Sequence, residues 1–260
     1  MTRQPPSPKP ELLALREIQA KSVLTRSRIP GADYCVNPYV GCSHACRYCY
    51  ASFMKRFTGH TEPWGSFVDA RVNAPEVLER QLRRARPGPV LLSSVTDPYQ
   101  PLEGRYRLTR GCLEALLRHR FPVDILTKSP LVLRDLDVLE GAEGVEVGLT
   151  VTSDDERMRE VFEPGAPPLE ARLDALRRLR ARGVPTYAFV GPILPMDPER
   201  LADQLRGLAG RFYVDRMNYV GKTAALYRQL GLGKWLDPGF VGEVLGRLVK
   251  ALGRDRVEVC

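Results

Sequence analysis

The stretch NPYVGCSHACRYCYASF, residues 37–53, places three cysteines within eight residues: Cys42, Cys46 and Cys49. An odd number of thiols is unusual, because disulfides pair cysteines and a structural zinc ion takes four protein ligands. An iron–sulfur cubane also normally takes four cysteines, so three would leave one iron open to a small molecule. An open position is what a catalytic metal site requires, and the stretch therefore indicates a catalytic metal centre.

The length of 260 residues suits a single α/β barrel or two smaller domains. The opening residues, MTRQPPSPKP, lack the apolar run of a signal peptide, and no apolar stretch approaches the roughly 18 to 20 residues of a membrane span. We therefore expect a cytoplasmic protein with no membrane partner. In that reducing compartment, clustered cysteines bind metal or do redox chemistry rather than form disulfides.

The charge balance is basic, with 39 Lys and Arg against 31 Asp and Glu and a formal net charge of +8. A basic protein favours a polyanionic partner, so nucleic acid is a candidate. The basic residues are scattered through predicted helices, as in RRLRAR at 177–182, where a solvated face also explains them. Charge alone therefore leaves the partner open, and nothing in the sequence indicates an oligomeric state.

Short apolar runs alternate with segments of helical period, which predicts an α/β fold with a parallel sheet, either a barrel or an open sheet. The predicted strands are 34–40, 90–95, 123–126, 145–151, 186–190 and 212–217. The predicted helices carry apolar residues at helical spacing: Val77/Leu78/Leu82, Leu113/Leu116/Leu117, Leu169/Leu173/Leu176/Leu179 and Leu201/Leu205/Leu208.

The chain divides into three predicted parts. Residues 1–30 form a proline-rich and charged extension outside the core, with one short helix over 11–20. Residues 31–235 form the core domain. Residues 236–260 contain a last helix, about 240–252, and a tail that completes or covers the sheet.

Polar residues follow the predicted strands in unit after unit, which favours the barrel. They include Thr96 and Asp97 after the second strand, Lys128 after the third and Thr150 at the end of the fourth. The carboxyl ends of parallel strands converge on one active-site mouth, so these residues are expected to lie near each other. A lysine directly after a buried strand also needs a partner for its charge.

The spacing Cys42-x3-Cys46-x2-Cys49, with Tyr48 before the last cysteine, resembles the signature of the radical S-adenosylmethionine (SAM) superfamily. The resemblance implies a partial (β/α)6 TIM-like barrel and a [4Fe-4S] cluster on the three cysteines, with SAM on the open iron. It implies reductive cleavage of SAM to a 5′-deoxyadenosyl radical that abstracts hydrogen from a substrate. A reducing partner such as flavodoxin or ferredoxin would supply the electron.

The resemblance also implies the SAM contacts. Tyr48 would lie against the adenine, and Asp97, with Thr96, would pair with the methionyl amino group. Lys128 would neutralise the carboxylate, and Thr150 would hydrogen-bond the ribose or the carboxylate. Glu163 and Arg172 match charged positions of the family, where they either orient SAM or form a structural salt bridge.

Several further stretches resemble the spore photoproduct lyase-related, or DNA repair photolyase-like, family over about residues 35–220. They are SVTDPYQPLEGRYRLTR at 94–110, ILTKSPLVLRDLDVL at 125–139, EPGAPPLEAR at 163–172 and GPILP at 191–195. Spore photoproduct lyase carries a cysteine near the end of the second strand that returns a hydrogen atom to the repaired thymine. The corresponding stretch here, Ser93 to Asp97, has none, so the catalytic residue and the substrate stay open.

Two other interpretations remain. Cys35 could join the three cysteines in a zinc site, with His44 and His60 as further candidate ligands, in a module without radical chemistry. Alternatively, the cluster could be purely structural in a nucleic-acid-binding protein whose tyrosines lie near arginines, as Tyr106 does. Cys112, in a helical pattern, is expected to be a small core residue, and His119 a solvent-facing residue at a helix end.

Overall fold

The computed structural model describes residues 13–260 as two sheets with helices and 3-10 segments around them. The strands are β1 (Ala14–Ile18), β2 (Leu24–Arg26), β3 (Tyr34–Val36), β4 (Tyr39–Val40), β5 (Phe67–Arg71), β6 (Val90–Leu92), β7 (Val123–Thr127), β8 (Val145–Thr150), β9 (Thr186–Val190), β10 (Arg211–Val214) and β11 (Val257–Val259). The α-helices are α1 (Ala74–Leu82), α2 (Glu103–Tyr106), α3 (Leu108–Arg118), α4 (Leu136–Leu139), α5 (Glu156–Phe162), α6 (Leu169–Ala181), α7 (Pro198–Leu205), α8 (Ala224–Gln229) and α9 (Pro238–Leu252). The 3-10 segments are Tyr50–Phe57, Pro130–Asp135, Val220–Lys222, Gly233–Leu236 and Arg254–Arg256.

The larger sheet has eight strands in the order β11-β10-β9-β8-β7-β6-β3-β2. Neighbouring strands run parallel except at one edge, where β2 is antiparallel to β3. All six predicted strands are present, as β3 and β6 to β10, and helices connect them. The predicted α/β fold with a parallel sheet is confirmed.

Alternation along β7 shows how the sheet separates its two faces. Val123 and Ile125 are buried in one cluster with Leu113 and Leu116 of α3, on the helix-covered face. Asp124, between them, is half-buried and points to the opposite face. There its carboxylate accepts a hydrogen bond of 2.8 Å from the Tyr187 hydroxyl of β9.

Gly148 on β8 makes this contact across the sheet possible. Strand β8 lies between β7 and β9, so the Tyr187 side chain must pass over it to reach Asp124. A Cβ atom at Gly148 would lie 2.2 Å from the Tyr187 ring, closer than any side chain allows. The absence of a side chain at Gly148 therefore lets Tyr187 span three strands on this face.

The predicted helix over residues 11–20 is wrong within the described part of the chain. Residues 14–18 form β1, which pairs in parallel with β5, while residues 11 and 12 lie outside the described residues. Leu13 and Leu15 pack against a small cluster around Tyr39 and Val68. These tertiary contacts with β4 and β5 override the weak local preference for helix.

The predicted first strand, 34–40, is interrupted by Asn37 and Pro38. Proline has no amide hydrogen for a ladder, and the chain leaves the large sheet here and continues as β4. Strand β4 pairs antiparallel with β5, and β5 is a strand that the sequence analysis missed. The order of this smaller sheet is β1-β5-β4. The break takes the cysteine stretch out of the large sheet, and residues that follow β6 contact it.

The last predicted helix is present as α9, and its apolar residues lie in the core cluster. The tail joins the large sheet as β11, parallel to β10. Leu208, assigned to the fourth predicted helix, follows the end of α7 at Leu205. Strand β2 lies within the predicted N-terminal extension and forms an edge of the large sheet, and the three-part division of the chain stays a prediction. Among residues 13–260, no helix has the length and apolar character needed to cross a membrane.

Candidate active site

The three cysteines lie on one loop, residues 41–49, between β4 and the 3-10 segment Tyr50–Phe57. We call this segment the cysteine loop. Cys42 is buried, Cys46 and Cys49 are half-buried, and all three are free thiols. Burial raises the pKa of each thiol, to about 12 for Cys42, and the neighbouring cysteines raise the pKa values of Cys42 and Cys46 further. The three groups are therefore neutral thiols in this structure, and a coordinating metal would deprotonate them.

Two close backbone approaches shape the cysteine loop. Gly41 has a φ of +87°, and a Cβ atom there would lie 2.4 Å from the Phe67 carbonyl oxygen of β5. Gly165, in the connection between α5 and α6, leaves no room for a Cβ either, because it would lie 2.2 Å from the Ser43 carbonyl oxygen. The Gly165 amide donates to the His44 carbonyl at 3.0 Å. The loop is therefore held between β5 and the α5–α6 connection.

Gln100 attaches the cysteine loop to the end of β6. Its fully buried side chain accepts from the Ser43 amide at 3.2 Å and donates to the Gly41 carbonyl at 3.3 Å. The same amide group donates to the Thr96 hydroxyl at 2.9 Å, and Thr96 in turn donates to the Gly41 carbonyl at 2.6 Å. Thr96, a predicted SAM contact, therefore helps to position the cysteine loop.

Asp97 joins the ends of two neighbouring strands. Its carboxylate accepts hydrogen bonds from the Thr127 hydroxyl at 2.6 Å and the Lys128 amide at 2.8 Å, both after β7. The His44 Nδ1 atom of the cysteine loop lies 3.4 Å away. Burial alone would raise the pKa of Asp97, but His44 and the hydrogen-bond donors hold it well below its ordinary value. Asp97 is thus an ionised anchor of the site, and its pairing with a SAM amino group stays a prediction.

A buried charged cluster lies beside the cysteine loop and is centred on Glu163. The fully buried carboxylate of Glu163 accepts from the Arg172 guanidinium, the Tyr48 hydroxyl and, at 3.1 Å, the Thr152 hydroxyl. Lys128 Nζ lies 4.0 Å from Glu163. Burial alone would raise the pKa of Glu163, but the two cations lower it below its ordinary value. The structural salt bridge considered for Glu163 and Arg172 is present.

Lys128 connects this cluster to the cysteines. Its ammonium lies 5.8 Å from the centre of the Tyr48 ring. Burial alone would lower the pKa of Lys128, but the Cys46 and Glu163 charges raise it, so the side chain stays protonated. Thr150, the remaining predicted SAM contact, is buried at the end of β8, where its carbonyl accepts from Arg172 at 3.0 Å. The five predicted SAM contacts therefore all belong to networks that border the cysteine loop.

The family of the chain follows from its similarity to known proteins. A family model described as the radical SAM superfamily matches residues 36–208. The chain belongs to the radical SAM superfamily.

An uncharacterized protein of Methanocaldococcus jannaschii is 37% identical over 204 residues, which are 78% of this chain and 77% of that protein. An uncharacterized protein of Mycobacterium tuberculosis is 37% identical over 223 residues, 80% of this chain and 64% of that protein. A protein of Pseudomonas phage M6 named radical SAM Nalpha-GlyT isomerase is 26% identical, over 85% of this chain and 43% of the phage protein.

Solved structures of the superfamily share the fold of this chain. Spore photoproduct lyase complexed with dinucleoside spore photoproduct matches with a TM-score of 0.66 and 16% identity, over 94% of this chain and 81% of that one. SuiB of Streptococcus suis bound to S-adenosylmethionine matches with a TM-score of 0.54 and 14% identity, over 95% of this chain and 47% of that one. At these identities the likeness concerns the fold, and it confirms the predicted partial barrel of the radical SAM type.

Radical SAM membership implies a [4Fe-4S] cluster and SAM, and the donor set of the cysteine loop fits them. Cys42, Cys46 and Cys49 would hold the cluster, and the protonated Lys128 beside Cys46 supplies a cation for a carboxylate. Among residues 13–260, no three His, Cys, Asp or Glu side chains converge closely enough to bind a single metal ion. A cubane holds its thiolates at separate corners, further apart than the ligands of one ion.

Among residues 13–260, the other candidate zinc ligands form no metal-binding group with the three cysteines. Cys35 lies within β3, in register with Leu91 of β6. His44 faces Asp97, and His60 lies between Asp69, at 2.8 Å, and Glu62, at 3.0 Å. Cys112 is buried on α3, as predicted. His119, predicted to face solvent, is half-buried at the end of α3, with Nε2 2.8 Å from Glu79.

Three residues around the radical SAM site were missed by the sequence analysis: Tyr50, Trp64 and Lys222. Trp64 and Lys222 line a cavity of about 400 Å³ together with Cys46 and Cys49. Lys222 Nζ donates to the Cys49 carbonyl at 2.6 Å. Tyr50 and Tyr219 stack with ring centres 6.3 Å apart. Tyr219 follows the last predicted strand and Tyr50 is next to Cys49, so both had a signal in their positions, whereas Trp64 and Lys222 reach the site from other segments.

Proposed function

We propose that this chain is a radical SAM enzyme that abstracts hydrogen from a nucleotide-containing substrate. The observation that carries the first part is the position of the protonated Lys128, between the cysteine loop and Glu163. When bound, the cluster supplies the electron that cleaves SAM reductively to a 5′-deoxyadenosyl radical. Lys128 neutralises the SAM carboxylate, and Glu163 with Arg172 keeps Lys128 and Tyr48 in place.

The nucleotide part of the proposal is supported by the surface beside the cysteine loop. Aromatic and basic side chains lie together there, and we call this surface the aromatic rim. It consists of Tyr50, Phe53, Arg56, Phe57, Tyr219 and Lys222. Its four aromatic residues are between 39% and 70% exposed, unlike the buried aromatic residues of the core.

Exposed aromatic rings with nearby cations are the combination that binds unpaired bases and their phosphates. Arg56 lies 5.7 Å from the centres of both Phe53 and Phe57, and Lys222 lies 5.6 Å from that of Tyr219. The structurally similar spore photoproduct lyase was solved with a dinucleoside spore photoproduct, which supports the same substrate class. The repair reaction itself is not part of the proposal, because Ser93 to Asp97 offer no thiol after β6.

The electron for the reaction is proposed to come from a small acidic carrier such as flavodoxin or ferredoxin. Arg47 and Lys222 line the cavity that also contains Cys46 and Cys49, so cations surround the accessible side of the cysteine loop. Charge complementarity of this kind steers an acidic protein toward the site.

Anaerobic purification followed by turnover tests the proposal. The protein is expected to be brown, with absorbance near 400 nm and about four iron and four sulfide per chain. With dithionite and SAM it is expected to form 5′-deoxyadenosine, and with a deuterated oligonucleotide that product is expected to carry deuterium. A colourless protein with stoichiometric zinc contradicts the cluster. A loaded protein that forms no 5′-deoxyadenosine is a structural-cluster protein instead.

A further inference from the structure

Trp64 is held rigidly against the cysteine loop. Its ring packs edge-to-face on the buried Phe67, with centres 5.8 Å apart and an interplanar angle of 83°. The next residue, Gly65, has a φ of +102°, and a Cβ atom there would lie 2.5 Å from the Cβ of Ala45. The backbone after Trp64 therefore touches the cysteine loop between Cys42 and Cys46, which leaves the indole little freedom to move.

The indole N–H of Trp64 is buried and makes no complete hydrogen bond within residues 13–260. The group with which the indole interacts is the Cys49 thiol, whose sulfur is only a weak acceptor. A buried donor without an acceptor is unfavourable, and tryptophan N–H groups in protein interiors usually find one. The ring lines the cavity that contains Cys46 and Cys49, so sulfur is the acceptor that this cavity offers once it is filled.

The position of Trp64 selects the Cys49 end of the cysteine loop. Trp64, Cys49 and Lys222 line the same cavity, and the Trp64 side chain interacts with the Cys49 thiol. Lys222 Nζ donates to the Cys49 carbonyl at 2.6 Å from the same cavity. Hydrogen-bond donors are therefore gathered around Cys49.

We propose that the Trp64 indole donates a hydrogen bond to sulfur at the Cys49 corner of the bound cluster and thereby raises its reduction potential. The proposal rests on the proposed function, because it requires the cluster. Hydrogen bonds to cluster sulfurs stabilise the more negative, reduced state. Trp64 is thus a positioning and tuning residue, because its effect is exerted through the cluster.

The chain offers a matched control, because it has two tryptophans. The other, Trp235, packs against Phe240 of α9, with ring centres 5.2 Å apart. Trp64→Phe removes the N–H and keeps an aromatic ring, and Trp235→Phe does the same in the core.

The iron and sulfide content of each protein is measured first. A wild-type protein without a cluster overturns the proposed function rather than the hydrogen bond from Trp64. The midpoint potential is then measured without SAM, by titration followed with the electron paramagnetic resonance signal of the reduced cluster.

Trp64→Phe is expected to hold the full cluster at a more negative midpoint potential, while Trp235→Phe keeps the wild-type value. A loaded Trp64→Phe protein with an unchanged midpoint overturns the inference. Labelling with indole-¹⁵N tryptophan in the Trp235→Phe protein gives a second readout that leaves Trp64 intact. Its reduced cluster is expected to show a ¹⁵N coupling by pulsed electron paramagnetic resonance, and absence of that coupling overturns the inference even if Trp64→Phe fails to fold.

Discussion

Glu163 and Arg172 form an ion pair in which both side chains are fully buried. Glu163 follows α5 and Arg172 lies on α6. The Glu163 carboxylate accepts a hydrogen bond from the Tyr48 hydroxyl of the cysteine loop. Two charges away from water are tolerated here because each also has other partners: Arg172 donates to the Pro167 and Thr150 carbonyls, both at 3.0 Å.

Removing one partner of this pair is expected to be costly. Arg172→Met leaves the Glu163 charge with less compensation, and we expect a loss of about 3 to 5 kcal/mol in the free energy of unfolding. Urea denaturation of the protein measures the change. Arg182→Met is the control, since its pair with Glu140 is exposed and exposed ion pairs contribute little to stability. Equal losses in the two variants would contradict the assignment.

Replacement of a cysteine is expected to separate cluster ligands from core thiols. Ala at position 42, 46 or 49 should abolish cluster assembly, measured as iron and sulfide per chain after anaerobic reconstitution. Cys112→Ala is the control, because its thiol is buried on α3 away from the loop, and it should retain the cluster. Loss of the cluster in the control with retention in the other three would overturn the ligand assignment.

Lys128→Ala is expected to weaken SAM binding while the cluster is retained. A charge-assisted hydrogen bond contributes about 1.5 to 3 kcal/mol, so the dissociation constant should rise by roughly ten- to a hundredfold. Calorimetric titration of the anaerobic protein with SAM measures it. Lys21→Ala is the control, an exposed lysine before β2. Unchanged affinity in a loaded Lys128→Ala protein would remove Lys128 from the SAM site.

Tyr219→Ala is expected to weaken binding of single-stranded oligonucleotides. Stacking of one base on an aromatic ring contributes about 1 to 3 kcal/mol, so the affinity should fall by roughly five- to a hundredfold. Fluorescence anisotropy at fixed salt measures the affinity. The control is Tyr106→Ala, since Tyr106 lies on α2 and bonds to Glu17 of β1, away from the aromatic rim. A similar fall in both variants would argue against the rim.

Asp124 is expected to make stability depend on pH. Burial raises its pKa from 3.8 to about 6, with Glu146 adding to the increase and Tyr187 and Arg211 opposing it. Because the folded state binds the proton more tightly, stability is highest below about pH 4 as far as this group is concerned. The contribution of Asp124 to the free energy of unfolding is lost as the pH rises through 6. The loss is roughly 3 kcal/mol, because each unit of pKa shift corresponds to about 1.4 kcal/mol.

Asp124→Asn should remove this contribution, because the amide oxygen still accepts from Tyr187 but does not ionise. Denaturation between pH 4 and pH 8 is expected to show a smaller decline in the variant than in the wild type. Asp137→Asn, whose carboxylate is largely exposed, is the control. Parallel pH profiles for wild type and Asp124→Asn would contradict the raised pKa.

The parts of the fold that could be predicted are those with a long periodic pattern. The apolar repeat from Leu169 to Leu179 predicted α6, and the six predicted strands of the large sheet begin within one residue of their predicted starts. The missed strands β1 and β5 pair with each other, and the missed strands β2 and β11 form the edges of the large sheet, so their signal is a tertiary contact rather than a local period. Short strands of this kind cannot be told from loops or helices by sequence alone.

The candidate site divides in the same way. The cysteine spacing and the lysine after β7 were visible as local patterns in the sequence. Trp64 and Lys222 were not visible, because nothing in their own segments indicates that they meet at Cys49. Asp97 was found, but its hydrogen bonds to Thr127 and the Lys128 amide follow only from the pairing of β6 and β7.

The arrangement of Asp124, Gly148 and Tyr187 has a consequence for how related chains can diverge. A side chain at position 148 would displace the ring at 187 and leave the acid at 124 without its donor. Substitutions at these three positions are therefore expected to occur together rather than independently. In any relative that carries alanine or a larger residue at 148, we expect a shorter side chain at 187 and a neutral residue at 124.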